Sequence, residues 1–374
     1  MEKLKVMIVF GTRPEGIKMA PIIKELKKRD NIESVICITA QHREMLDQVL
    51  HIFDIKPDYD LNIFEPGQSL TKITTRALDG LEEVIIKEKP DVLLVQGDTT
   101  TVFSGALAAF YQGVKVGHVE AGLRSGNIHS PYPEEANRML TGILTEYHFA
   151  PTQRNKENLI KENYPEDKIF ITGNTVIDAL KYVINEDYEF DLSLLNSLDY
   201  ENKRIILMTS HRRENIGKPM ENIFSAVNDI VNKYEDVELV FPVHLNPKVR
   251  SIAGGILGNN PRVHLIEPLD YEPFTNLMNK VHIVVTDSGG LQEEAPTLGK
   301  PVLVVREETE RPEGIEAGTA KLVGTDYNSI YENLELLLSN KEEYENMAKA
   351  VNPYGDGYAS KRIVDIILYK NKKN

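Results

Sequence analysis

The stretch Val6-Met7-Ile8-Val9-Phe10-Gly11-Thr12-Arg13-Pro14-Glu15 is an apolar run that stops abruptly at a glycine, a hydroxyl and two charges. The same handover recurs at Leu93 to Val95 into Gly97-Asp98-Thr99, and at Val114 to Val116 into His118, Glu120 and Arg124. It returns at Ile205 to Met208 into Ser210-His211-Arg212-Arg213, and at Val240-Phe241 into His244. Two further cases are Ile283 to Val285 into Asp287-Ser288-Gly289-Gly290 and Val302 to Val305 into Arg306 and Glu307. Buried parallel strands read as unbroken apolar runs, and in open α/β sheets ligands sit beyond the strands' carboxyl ends. Polar side chains gathered at those ends predict a site assembled from many loops.

Amphipathic segments lie between the apolar runs, among them Ile22 to Lys28, Leu78 to Lys87, Met220 to Lys233 and Tyr331 to Leu338. Alternation of this kind is the mark of βαβ units and parallel sheets. Pro21 is expected to kink or interrupt the first helix. Two such series appear, separated by the acidic, irregular stretch from Glu186 to Asn202. The fold class expected is α/β: two Rossmann-like, doubly wound domains facing across a cleft. Residues 1–175 form the first and 176–355 the second, with a closing helix over 356–374 packed back on the first.

Length and composition set the outer bounds. A chain of 374 residues with 41% hydrophobic content can bury two cores. A net charge of −14 leaves no footprint for nucleic acid or an anionic membrane surface. A single cysteine, Cys37, excludes an intrachain disulfide. The start Met1-Glu2-Lys3-Leu4 runs into a strand rather than a signal segment, and no apolar stretch approaches the roughly 20 residues of a membrane span. A cytoplasmic protein is expected.

Missing motifs narrow the chemistry. No G-x-G-x-x-G follows the first strand, Gly217-Lys218 and Gly299-Lys300 are each followed by proline, and no H-E-x-x-H occurs. No cofactor and no metal are therefore expected. Asp58-Tyr59-Asp60 resembles a metal-binding D-x-D but follows Pro57, a setting typical of a plain turn.

The sharpest single motif is Thr286-Asp287-Ser288-Gly289-Gly290-Leu291-Gln292-Glu293-Glu294. Ser288 is read as a helix cap, while the glycines let backbone amides approach a diphosphate at the helix start. Glu294 is placed to accept bonds from ribose hydroxyls. A capped surface helix with a glycine-rich entry reads the same way. Arg13 suits phosphate oxygens because its guanidinium is a planar fork. Lys18, read as lying within the first helical turn, opposes the macrodipole there, so an anionic partner is the better reason for it. Three carboxylates, Asp98, Glu120 and Glu134, each follow a strand or open a helix and come from the same domain. Helix capping and acids favoured in a first turn are the plainer explanations for Asp98 and Glu134. His211, flanked by Arg212, Arg213 and Glu214, reads as lying near an anion, and His244 as either core or site. His51, His148, His264 and His282 read as ordinary fold histidines.

Taken in order, Gly11-Thr12-Arg13-Pro14-Glu15, Gln41-His42-Arg43, Gln96-Gly97-Asp98-Thr99-Thr100, Glu120-Ala121-Gly122-Leu123-Arg124, Pro133-Glu134-Glu135-Ala136-Asn137-Arg138, Ser210-His211-Arg212-Arg213-Glu214-Asn215, Asp287 through Glu294 and Arg311-Pro312-Glu313 resemble the non-hydrolysing UDP-N-acetylglucosamine 2-epimerases. The resemblance implies a glycosyltransferase-B-like fold and a homodimer. It also implies interconversion of UDP-N-acetylglucosamine and UDP-N-acetylmannosamine without metal or redox cofactor. By family position Asp98, Glu120 and Glu134 transfer protons, supported by Lys18 and Arg138. Arg13, His211, Arg311 and Ser288-Gly289-Gly290 hold UDP, Glu294 the ribose, and Phe274 lies near uracil. Bacterial members bind a second, activating UDP-N-acetylglucosamine, and positions resembling that pocket are Gln41, Glu134, Arg212 and His244. Some relatives carry an arginine where this chain reads Pro66-Gly67-Gln68.

The residue types suit that reaction. The C2 hydrogen of the sugar is not next to a carbonyl, so a carboxylate of ordinary pKa cannot simply remove it. Breaking the C1 to phosphate bond makes C1 cationic and C2 acidic, and UDP then adds back to a glycal. A glycosyltransferase on the same fold has less use for three acids and would consume the sugar nucleotide only with an acceptor. A hydrolysing relative would release free N-acetylmannosamine, and a non-catalytic UDP-sugar sensor needs none of the acids.

Overall fold

The computed structural model describes residues 3–372 and divides the chain into two compact units. The first runs up to Tyr182 and resumes at Tyr354; the second is Val183–Pro353.

In the first unit seven strands form one parallel sheet: β1 (Leu4–Phe10), β2 (Ile32–Ile38), β3 (Tyr59–Asp60), β4 (Val92–Gln96), β5 (Lys115–Val119), β6 (Tyr147–Ala150) and β7 (Ile169–Ile171). Their order is β3-β2-β1-β4-β5-β6-β7, so the direction of winding reverses between β1 and β4. Ligands bind at such a switch point, where neighbouring loops diverge. Val6 to Phe10 are fully buried, which fits helices on both faces of the sheet. Met7 and Val9 join one cluster with Leu81 and Ala106, from the helices Leu70–Glu88 and Thr100–Tyr111.

The second unit repeats the plan with six strands: β8 (Arg204–Thr209), β9 (Val237–Pro242), β10 (Val263–Ile266), β11 (Ile283–Thr286), β12 (Val302–Val304) and β13 (Ala320–Leu322). All pairs are parallel, in the order β10-β9-β8-β11-β12-β13, with the switch between β8 and β11. Alternate residues of β8 enter different cores: Ile206 and Met208 pack with Phe224 and Phe241, Ile205 and Leu207 with Phe190 and Leu277. Successive strand side chains point to opposite faces, so a sheet covered on both must be apolar at every position. Each such side chain contributes roughly 1.5–3 kcal/mol by leaving water.

Several local expectations change. The helix Thr175–Val183 lies in the first unit up to Tyr182, so the break falls later than residue 175. Asp178 on this helix is the reason. Its carboxylate accepts the N–H groups of Ala359 (3.1 Å) and Ser360 (2.8 Å) and the Ser360 hydroxyl, capping the closing helix Ala359–Lys370 from another element. That closing helix packs on the helix Arg13–Lys27 of the same unit. Pro21 does not interrupt Arg13–Lys27, which continues through it with Pro21 buried. Asp58-Tyr59-Asp60 is not a plain turn: Tyr59 and Asp60 form the edge strand β3 against β2, and Asp58 accepts the Ile36 N–H at 2.8 Å. Among the described residues no helix is long and apolar enough to cross a membrane, and no three His, Cys, Asp or Glu side chains are grouped to share a metal ion.

Candidate functional site

In the first unit the loops after β4 and β5, with the helix Glu134–Leu144 that follows β5, carry the acids. Glu120 directly follows β5 with φ +65°, a left-handed conformation that costs a non-glycine residue on the order of 1–3 kcal/mol. Strain of this kind persists only where surroundings impose it. The Glu120 carboxylate receives Lys18 Nζ at 2.5 Å and the Gln96 side-chain amide, and its side chain is 8% exposed. Two residues on, Gly122 has φ +89°, and any side chain there would run into the Asn155 carbonyl. Lys18 sits in the second turn of its helix rather than the first, and its counter-charge is Glu120.

Asp98 is fixed from several sides. Its carboxylate accepts Arg138 Nε at 2.9 Å and lies 2.6 Å from another guanidinium nitrogen, while Asn137 Nδ2 donates to its carbonyl at 2.9 Å. Arg138 also reaches Glu135, whose other oxygen accepts the N–H groups of Ser125 and Gly126. Burial alone would lower the Arg138 guanidinium, but Asp98 and Glu135 outweigh it and hold it raised. Glu134 opens the helix Glu134–Leu144 four residues before Arg138, so the two share one helix face. The acids therefore stand as two ion-paired groups on one sheet edge, Glu120 with Lys18 and Asp98 with Arg138, the latter followed around the helix by Glu134.

Behind Asp98, the buried His118 places Nε2 2.7 Å from the Gly97 carbonyl, so that nitrogen carries the hydrogen. Burial pushes His118 down to about 4, keeping it neutral. Arg13 occupies the first position of its helix and is half-buried. Gln41 Oε1 accepts the Thr101 hydroxyl at 3.0 Å.

The second unit presents cations and amides. Asp287, 0% exposed after β11, accepts on one oxygen the N–H groups of His211 (2.8 Å) and Arg212 (2.9 Å) and the Ser210 hydroxyl (3.2 Å). Its other oxygen lies 3.0 Å from His211 Nδ1. Burial pushes Asp287 up, yet the His211 ring and the backbone donors outweigh it and hold its carboxyl below the usual range. The exposed His211 ring stacks on His244 at 6.0 Å, and His244 Nδ1 accepts the Asn246 N–H at 3.1 Å. Ser288 is not a helix cap: its N–H donates to the Thr286 hydroxyl at 2.9 Å, and the helix that follows is one short turn, Leu291–Glu294, with no side-chain cap. A Cβ at Gly289 would meet open space, so no contact within the chain demands glycine there. Arg311 is held through Nε by Glu293, and its N–H donates to the Thr309 hydroxyl at 3.0 Å. Phe274 is partly buried against the core on the helix Tyr271–Lys280, where burial and then the Glu294 charge raise the Tyr271 phenol.

Residues 24–368 match the family described as UDP-N-acetylglucosamine 2-epimerase. The Bacillus subtilis UDP-N-acetylglucosamine 2-epimerase is 57% identical over 369 residues, covering 99% of this chain and 96% of that one. The chain belongs to this family. A solved Neisseria meningitidis UDP-GlcNAc 2-epimerase, bound to UDP-GlcNAc, is 53% identical with a TM-score of 0.86, covering 98% of this chain and 100% of that one. The Methanocaldococcus jannaschii enzyme in complex with UDP-GlcNAc and UDP is 36% identical with a TM-score of 0.78, at the same coverages. Two parallel-sheet α/β domains of the glycosyltransferase-B-like class are the architecture of this epimerase family.

Residues with no role in the sequence reading now stand out in this epimerase-family chain: Gln96 against Glu120, Glu293 against Arg311, Asp287 behind His211, and Glu15. For Glu15 a signal exists, because Thr12-Arg13-Pro14-Glu15 is a capping-box pattern. Asp287 carries a weaker one, an acid directly after a buried strand.

Proposed function

We propose that this chain interconverts UDP-N-acetylglucosamine and UDP-N-acetylmannosamine, without hydrolysis, by eliminating UDP to a glycal and adding it back. The observation that carries the reading is the pair of ion-paired acids, Glu120 with Lys18 and Asp98 with Arg138, on one sheet edge. Family membership and the relatives' bound UDP-GlcNAc and UDP support the substrate.

In this reading the C1–O bond breaks with its electron pair passing to the β-phosphate oxygen, a carboxylate takes the C2 proton, and the C1–C2 double bond forms. The steps then reverse with the proton delivered to the opposite face of C2. Removal and return on opposite faces require more than one acid–base group, the role of Asp98, Glu120 and Glu134. Arg13, Arg311, His211 and the amides of Ser288, Gly289 and Gly290 stabilise the charge that develops on UDP, where a single donor is worth about 10²–10³ in rate. Asp287, 3.0 Å from His211 Nδ1, orients the ring so that its Nε2 edge is left for the phosphate. Glu294 holds the ribose and Phe274 lies against uracil.

The protein also works as a homodimer in this reading. Phe110 and Tyr111 on Thr100–Tyr111, with Met139, Leu140 and Ile143 on the adjoining Glu134–Leu144, are exposed apolar side chains that a second copy would cover.

Proton NMR of UDP-N-acetylglucosamine with the protein in deuterium oxide tests the reaction. UDP-N-acetylmannosamine with deuterium at C2 and no free sugar is expected. Free N-acetylmannosamine plus UDP would mean the hydrolysing reaction, and unchanged substrate would overturn an enzymatic role.

A further inference from the structure

Glu15 is 2% exposed, and it uses its two oxygens on two different loops. Oε2 accepts the N–H groups of Gly11 and Thr12, both at 2.8 Å, and Oε1 accepts the Thr99 hydroxyl. An ordinary capping box stops at the first half of this, returning a carboxylate to the amide at its own helix start. Here the second oxygen leaves its element and crosses the β1–β4 switch point to the residue next to Asp98.

Burying a carboxylate is a poor way to cap a helix. Ser69 caps Leu70–Glu88 from the surface with a hydroxyl, at no such cost. Burial raises the Glu15 carboxyl despite the donors around it, so the side chain is a net electrostatic liability to the folded unit. Holding two loops in register is what the arrangement supplies in exchange. Each neighbour of Asp98 is thereby fixed, Thr99 by Glu15 and Gly97 by His118 through its carbonyl.

We infer that Glu15 is a positioning residue for proton transfer, coupling the Arg13 loop to the Asp98 loop through Thr99. The inference rests on the reading of Asp98 as a proton-transfer group. Glu15 touches neither substrate nor reacting atoms in this role; it sets where Asp98 stands relative to the phosphate-binding arginine. The carboxamide of Glu15→Gln can keep both functions, with its oxygen on the two amides and its NH2 donating to a turned Thr99 hydroxyl. Glu15→Ala keeps neither, and Thr99→Val removes the bond between the loops.

The test measures kcat, KM and C2 deuterium wash-in for the wild type, Asp98→Asn, Glu15→Ala, Glu15→Gln, Thr99→Val and Thr99→Ser, with melting temperatures alongside. Misplacement of a reacting group by about an ångström can cost a hundredfold, so Glu15→Ala and Thr99→Val should each lose about tenfold to a hundredfold in kcat and wash-in. KM should move by less than about threefold, Glu15→Gln and Thr99→Ser should recover most of kcat, and the double variant Glu15→Ala/Thr99→Val should be little worse than either single one, because the two act as one unit. Wild-type kcat in Thr99→Val, or in the folded fraction of Glu15→Ala, would overturn the inference. If Glu15→Ala does not fold, Thr99→Val decides. A wild type that incorporates no deuterium, or an Asp98→Asn variant that still does so at full rate, would overturn the reading of Asp98 itself and this inference with it.

Discussion

Both units place a buried carboxylate at the topological switch point, and the two differ in what they face. Glu15 stands one helical turn beyond β1 and reaches forward to the loop after β4, whereas Asp287 stands after β11 and reaches back to the loop after β8. Each accepts two consecutive N–H groups of the loop after its sheet's first strand: Gly11 and Thr12 in one case, His211 and Arg212 in the other. The donors to Glu15 are all neutral, so burial prevails and its carboxyl is raised. Asp287 faces an imidazole that can carry charge, and its carboxyl is lowered. The same topological position therefore serves as a brace between two loops in one unit and as the support of a site imidazole and its loop in the other.

The largest effect expected on either side of this comparison falls on the acids that the first brace serves. Glu120→Gln and Asp98→Asn should each lower kcat by about 10²–10⁴, the range for general acid–base groups. Glu120→Gln should do so while keeping a hydrogen bond to Lys18, which would separate proton transfer from loop geometry. Steady-state rates with C2 wash-in check it, and wild-type wash-in in both variants would remove the acids from the mechanism. Next comes Asp287→Ala, which leaves the donors of Ser210, His211 and Arg212 without their acceptor. Leaving a buried donor without its acceptor costs about 1–3 kcal/mol, and urea unfolding should show a loss of at least that order. If Asp287 orients the His211 ring, Asp287→Asn should lose kcat beyond its loss of stability, and the His211 ring nitrogens should change tautomer balance by 15N NMR.

The sheets were legible in the sequence because both faces are covered. Residues such as Ile205 to Met208 must be apolar at every position, which is the pattern a sequence displays most plainly. The edge residues were legible as residue types, since Asp98, Glu120 and His211 stand within two residues of a strand's carboxyl end. The local geometry was less so. Ser288 has the composition of a cap, but Thr286 takes its N–H and the helix is a single turn. The boundary near residue 175 moved to Tyr182 because Asp178 caps a helix 181 residues further along, a long-range contact with no local signature. Lys18 stands out in the sequence only by opposing the macrodipole of its helix, while its partner Glu120 is 102 residues away. Pairings of that kind become visible only once sheet order is known.

Two smaller effects concern pH and have opposite signs. His118 has its folded value at about 4 against an ordinary 6.5, so its neutral form stabilises the fold above pH 6.5. That contribution is lost as pH falls from 6.5 through about 4, and amounts to something on the order of 3 kcal/mol. Chemical denaturation of wild type and His118→Asn at pH 7.5 and pH 4.5 should show the wild type losing more stability on acidification. Glu15 runs the other way. Its folded value lies above the ordinary 4.5, so whatever it contributes is complete below pH 4.5 and is lost as pH rises through the raised value. Relative to wild type, Glu15→Gln should gain stability from acid to neutral pH, since its amide never has to ionise in the buried site. If the difference between the two proteins stays flat across that range, the carboxyl is not strained by burial, and the contrast with Asp287 would reduce to one of loop connection alone.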